Sequence, residues 1–304
     1  MKYLVFFFFI VLSISSQAQK VKITKSKTSQ IIPINYNWER LPDNFHILNG
    51  NELYSSISNT FKLSKSEFET TKNFEQRKKQ RLIQPIVGNL TVDSTLYVEI
   101  IQNKEDILNP CEYNADTQEL SVNFGFTSTF EVTVLNYNND YFQSIRDSLP
   151  YSQRNNYPSL SMLKIYQREK DLGSYKGQNA FGVKKTVDKY LYTQIYLVLQ
   201  DSSSFIPKRF FSNNVSIKSF LEDIILKFPI EPNNAKEAKK NLKIIAFLKL
   251  YEPYFDEDTK HDPATIDLPV SITEERYFIF ANIEKIWFYN STTRQIYHKF
   301  NFRK

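Results

Sequence analysis

The chain has a single cysteine, Cys111, in 304 residues. One thiol excludes a disulfide within the chain, so the fold must be held by its core. Glycine is almost as scarce. Three of the six glycines, Gly173, Gly177 and Gly182, fall in one stretch, GSYKGQNAFGVKKT (173–186). The three histidines, His46, His261 and His298, never take a zinc spacing such as H-E-x-x-H. No G-x-S-x-G is present, which removes the α/β-hydrolase nucleophile elbow. A triad assembled from distant residues needs no such motif. Cys111, in NPCEY, lacks the surroundings of a papain-type nucleophile. Beyond residue 12 no apolar run is long enough to cross a bilayer, which takes about 20 residues.

What is present starts at the N-terminus. Lys2 precedes an unbroken apolar run, YLVFFFFIVL (3–12), and Ser16-Gln17-Ala18 offers small residues for cleavage. That is the pattern of a secretory signal peptide over residues 1–18, cleaved after Ala18. Gln19, not a cysteine, stands directly after the expected cleavage point, which argues against a lipoprotein anchor. Export without disulfides suits a periplasmic or secreted bacterial protein. The net charge of +6 is mild and predicts tolerance of anionic surfaces rather than dedicated nucleic-acid binding. With 25 Phe and 19 Tyr, the composition favours well-filled β-sheets.

Periodicity divides the rest. Residues 19–60 read as a lysine-bearing flexible tail followed by an irregular segment carrying Trp38, Phe45 and Leu53. Residues 61–200 read as a β-rich domain led by a helix. Ser64 and Glu67 form a capping box, Leu63 and Phe68 a staple, and the helix runs to Leu82. Alternation then predicts strands at 95–101, at Leu120, Val122, Phe124 and Phe126, at 130–137 as the hairpin partner of that strand, and at 159–167 and 193–200. Residues 138–161 read as a loop. Asp201-Ser202-Ser203-Ser204 reads as a linker to a C-terminal lobe, residues 201–304. There Ile217, Phe220, Leu221, Ile224 and Phe228 have helical spacing, with Pro229 as the stop. Asn234 and Glu237 cap a second, short helix. Residues 242–250 could extend it, but their isoleucines favour a buried strand. Finally, YNSTTRQIYHKFNF (289–302) aligns without a gap on YNADTQELSVNFGF (113–126), which predicts the same hairpin twice. The expected fold is α+β, with antiparallel β-rich sheets and about three helices in two lobes meeting near residues 201–212.

Three constellations invite chemistry. From Gly177 the glycine stretch comes close to a P-loop, but Val183 stands where the lysine belongs and polar residues precede it. A bend or bulge, where glycine supplies positive φ, is the better reading. Arg77, Lys78, Lys79 and Arg81 cluster at a helix end and could contact an anionic surface, though no aromatic platforms interleave with them. Asp256, Asp258, His261 and Asp262 gather in FDEDTKHD (255–262). These are weak metal candidates in a polar loop without an EF-hand glycine. No cofactor is expected.

The helix SEFETTKNFEQRKKQ, followed by SYKGQNAFG about a hundred residues later, resembles a pattern in uncharacterised exported bacterial proteins. The likeness spans roughly residues 64–200. It implies the address and the fold, and no activity. The functional expectation is an exported, non-enzymatic protein that binds an envelope protein or glycan. The alternative is an exported hydrolase whose site assembles around the 255–262 acidic stretch.

Overall fold

A computed structural model describes residues 34–101, 111–125, 127–128, 161–178, 180–199 and 223–302. The expected signal peptide and tail, the strand expected at 130–137, the expected linker, and most of the loop expected at 138–161 lie outside these residues. So does the first half of the helix expected from Ile217.

The architecture is α+β and dominated by strands. Ten strands are described: β1 (Leu96–Ile100), β2 (Cys111–Asn114), β3 (Glu119–Gly125), β4 (Thr127–Ser128), β5 (Ser161–Gln178), β6 (Lys184–Leu199), β7 (Asp223–Pro229), β8 (Leu242–Asp262), β9 (Val270–Asn290) and β10 (Ile296–Asn301). Three helices accompany them among the described residues: α1 (Gly50–Phe61), α2 (Thr71–Leu82) and α3 (Pro232–Asn241). The main sheet runs β1-β8-β9-β6-β5-β4, with β10 also on β9, and β2-β3-β7 form a second, smaller sheet.

The spine is β9. β8 lies antiparallel along one edge, and the other edge is divided. β6 pairs in parallel with its first half, from Asp188↔Val270 to Val198↔Phe280. β10 folds back on its second half. Strands from both sides of the boundary expected at 201–212 therefore share one sheet, with β8 and β9 between β1 and β6.

Where both faces of this spine are covered, at Ile244–Leu248 of β8 and at Phe278–Ala281 and Ile286–Tyr289 of β9, the strands read as continuous hydrophobic runs rather than alternating ones. One face contributes Ile244, Ala246, Leu248, Ile279, Ala281, Ile286 and Phe288 to the principal core, joined by Leu53 and Ile57 of α1 and Phe228 of β7. The opposite face contributes Ile245, Phe247, Trp287 and Tyr289, over which Leu41 and Phe45 pack from the chain before α1. The fit beneath α1 is tight. A Cβ on Gly50 would sit 2.9 Å from the Ile165 carbonyl oxygen.

The two similar segments do form one turn twice. Asn114 Oδ1 accepts the N–H groups of Asp116 and Thr117 at 2.9 and 3.2 Å. Asn290 Oδ1 accepts those of Thr292 and Thr293 at 2.8 and 2.9 Å. Four residues after each Asn the backbone turns left-handed, at Gln118 (φ 51°) and Arg294 (φ 62°). The exposed carbonyl of each then accepts an N–H from a third segment, Ile230 and Leu41 respectively, both at 2.9 Å. The Asn side chain stands in for the missing backbone turn bonds.

Several local readings change. Residues 50–61, read as irregular, form α1. Asn49 and Glu52 cap each other's backbone, and Leu53, Tyr54 and Ile57 face the core. The next helix starts at Thr70, whose side chain accepts the Asn73 N–H, not at Ser64. Phe68 is 94% exposed and staples nothing. Residues 223–229 are a strand rather than the end of a helix. Each residue pairs with β3, from Asp223↔Gly125 to Pro229↔Glu119. Along Glu119–Val122, β3 has β2 on one edge and β7 on the other. α3 is capped at Glu231 with a proline in its first turn, ahead of Asn234. Residues 242–250 are strand, and that strand continues through the acidic stretch.

Candidate functional site

β5 and β6 outrun the sheet that anchors them. β6 meets β9 only from Asp188 onward, so over Ser174–Gln178 and Lys184–Val187 the two strands pair, among the described strands, only with each other. Pairing runs from Ser174↔Asp188 to Gln178↔Lys184. The result is a two-stranded arm of about 20 Å, at roughly 3.4 Å per residue plus its turn.

Glycine shapes this arm. The register slips between Asp171 and Ser174, and Gly173 lies in the slip at φ 82°. The Asp171 carboxylate holds its N–H at 2.6 Å. Gly182, also at φ 82°, turns the chain at the tip. A Cβ on Gly177 would meet Val187 at 3.3 Å and the Tyr175 ring at 3.6 Å, so its absence lets that ring lie against the neighbouring strand. Lys189 Nζ stands 5.8 Å from the centre of the same ring. No helix begins at Val183, and β6 starts at Lys184. The backbone therefore builds a bend and a hairpin, not the helix N-terminus that a phosphate cradle uses.

The arm is where apolar surface meets water. Phe181 is 91% exposed at the tip, beside Val183, with Tyr175 and Leu172 nearer the base. The loop between β8 and β9 adds Ile266 and Leu268. It touches the base of the arm, where the Asp188 N–H donates to the Pro269 carbonyl at 3.1 Å. Six of the ten large apolar residues exposed among the described residues thus gather at one end of the sheet. Lys176, Lys184 and Lys185 flank the tip, and residues 172–187 contain no Asp or Glu. Clustered apolar exposure of this kind marks an interaction surface more strongly than scattered residues do.

The other candidates are differently placed. Arg77 is engaged: Nε and Nη2 grip the Glu69 carboxylate at 3.0 and 2.6 Å, and Nη2 also reaches the Ser64 carbonyl. That grip holds the Glu69 carboxyl below its ordinary range. Lys78 pairs with Glu75 at 3.3 Å, and Arg81 donates to Gln84. Lys79 shares the last turn of α2 with Arg81, and the helix buries none of its residues.

The acidic stretch is an edge strand, not a loop. β1 pairs with β8 only over Ile244–Leu248. Phe255–Asp262 therefore shows its outer edge to solvent among the described strands. Charges there block pairing with another chain, the usual protection of an open edge. Strand alternation sends Asp256, Asp258 and Asp262 to one face and His261 to the other. Asp258 pairs with the buried Arg276, Asp262 with Lys260 at 3.2 Å, and His261 Nδ1 lies 3.2 Å from Thr273 Oγ1. Burial raises the Asp256 carboxyl. Among the described residues no group of three or more His, Cys, Asp or Glu could hold a metal ion.

The remaining reactive groups serve packing. Burial pushes the Cys111 thiol up to about 11, which keeps it protonated. His298 stacks on Phe228 at 5.2 Å with 12° between the rings, and burial lowers its pKa. A shallow depression at the β9–β10 turn is lined by Glu39, Arg40, Thr293, Gln295 and Ile296. Arg40 there is committed to the Thr293 carbonyl and to Asp43. No described helix is long and apolar enough to cross a membrane.

Sequence reading found the glycine bend but not the arm. The missing signal was relative strand length: alternation around Tyr175, Val183 and Val187 looks half-buried until β9 is seen to begin at Val270. No protein-family model matches the chain, and neither does any curated protein or solved structure.

Proposed function

We propose that the protein is an exported, non-enzymatic binding protein of the bacterial cell envelope, and that the β5–β6 arm is its contact surface. The observation that carries this reading is the arm itself. Phe181 and Val183 are held out in water on a hairpin whose bends are built with glycine, at the end of a sheet whose other end is packed on both faces. The geometry of the acidic stretch favours binding over hydrolysis, because Asp256 and His261 point to opposite faces of β8.

Two measurements test it. N-terminal sequencing of the chain after expression in an exporting bacterium should begin at Gln19; retention of residues 1–18 on cytoplasmic protein contradicts export. Washed envelope fragments should then sediment the exported chain. A Phe181→Asp, Val183→Asp variant should stay in the supernatant. Equal sedimentation of both would move the contact surface elsewhere.

A further inference from the structure

Resting on that reading, we propose that the arm docks on the surface of a bilayer rich in anionic lipid. Phe181 and Val183 enter the interfacial region, and Lys176, Lys184 and Lys185 lie against the phosphates. Three observations support this partner over the alternatives.

The first is the order of residues along the arm. The arm's most exposed ring, Phe181, is at the tip, and lysines 176, 184 and 185 stand behind it on both strands. An interface with a bilayer demands that sequence of depths: apolar groups below the headgroups, cations level with them. The second is charge. Three lysines and no carboxylate lie between Leu172 and Val187, with Asp171 and Asp188 at the base, so the outer part of the arm carries a single sign. Each such lysine strengthens attraction to an anionic leaflet. The core of a protein–protein interface is instead depleted of lysine. The third is shape. The arm projects as a ridge, whereas single-stranded nucleic acid is held in a basic groove with stacking platforms. Leu268, 63% exposed beside the base of the arm, gives the same end of the molecule a second apolar contact.

Flotation with vesicles tests the assignment. The purified exported chain is mixed with vesicles of phosphatidylglycerol and phosphatidylcholine, or of phosphatidylcholine alone. Binding to the anionic vesicles should be stronger by about ten-fold or more and should fall as salt is raised. Lys184→Gln, Lys185→Gln should remove most of that preference. Phe181→Asp should abolish binding while leaving the circular dichroism spectrum and thermal midpoint unchanged, since the ring is exposed. Equal binding to both vesicles, wild-type binding by Phe181→Asp, or stronger retention on heparin than on vesicles would each overturn the proposal. A chain that sediments with envelope fragments but ignores both vesicles overturns the lipid assignment and leaves envelope binding standing. A chain that binds neither overturns both.

Discussion

The β5–β6 hairpin is a different object at its two ends. Near Ile195 and Leu197 it lies in the core, with both residues at 0% exposure. At the far end Val183 is 46% and Phe181 91% exposed. The residue types are similar; the neighbours are not. At the buried end β9 pairs with β6, and side chains from other elements cover the sheet. At the other end β9 has not yet begun. Burial here is set by which strand outruns its partner. Four residues of β6 ahead of the first β9 pair, Lys184–Val187, turn a core strand into a presented surface.

That contrast can be broken from the buried end first. Phe288→Ala removes a fully buried ring that packs on Phe228 and Phe300. It should cost about 3–5 kcal/mol in urea unfolding. A loss below about 1 kcal/mol would mean that the spine is not the core.

Next come the twin turns, which sharpen the comparison because they share one geometry in two environments. Asn290 is 2% exposed and also donates to Tyr297 Oη at 2.8 Å, whereas Asn114 is exposed. Asn290→Ala should cost about 1–3 kcal/mol, because it removes a buried side chain that holds two part-buried turn N–H groups and the Tyr297 hydroxyl. Asn114→Ala should cost about 0.5–1.5 kcal/mol, since water can replace the lost partner. Equal costs would show that burial does not distinguish them.

A smaller effect should come from His298. Its folded pKa is lowered by burial, so the unfolded chain takes up a proton first as pH falls. The stability this group protects is present above about 6.5, its ordinary value, and is lost as pH falls through its lower folded value. His298→Phe should remove that part of the acid decline in the urea midpoint. An unchanged pH profile would contradict the stacked, desolvated placement. Smallest of all, Phe181→Asp should leave unfolding within about 0.5 kcal/mol of wild type. A large loss would show that the tip is packed rather than presented.

Legibility in the sequence followed the same divide. Strands buried on one face announce themselves by alternation, as Leu120 and Val122 do in β3. Strands buried on both faces lose it, which is why the strand reading of 242–250 rests on its isoleucines and not on its period. In β7, Ile224 and Phe228 satisfy the helical spacing i, i+4, but with Leu226 they satisfy period two as well. Only pairing with β3 decides between them. α1 was hidden because Leu53, Tyr54 and Ile57 sit among Ser and Asn, although its capping box, Asn49 to Glu52, was readable. The acidic stretch looked like a loop because an open edge strand is charged for protection. Of the candidate site, the glycines were legible as backbone shape. Their exposure was not, because it depends on where β9 starts.

The most direct test is hydrogen exchange by mass spectrometry on the purified chain, with and without anionic vesicles. The account predicts new protection confined to residues 173–187 and the loop carrying Ile266 and Leu268, with β8 and β9 unchanged. Protection appearing on α2 instead, or binding with no change in the arm, would contradict it.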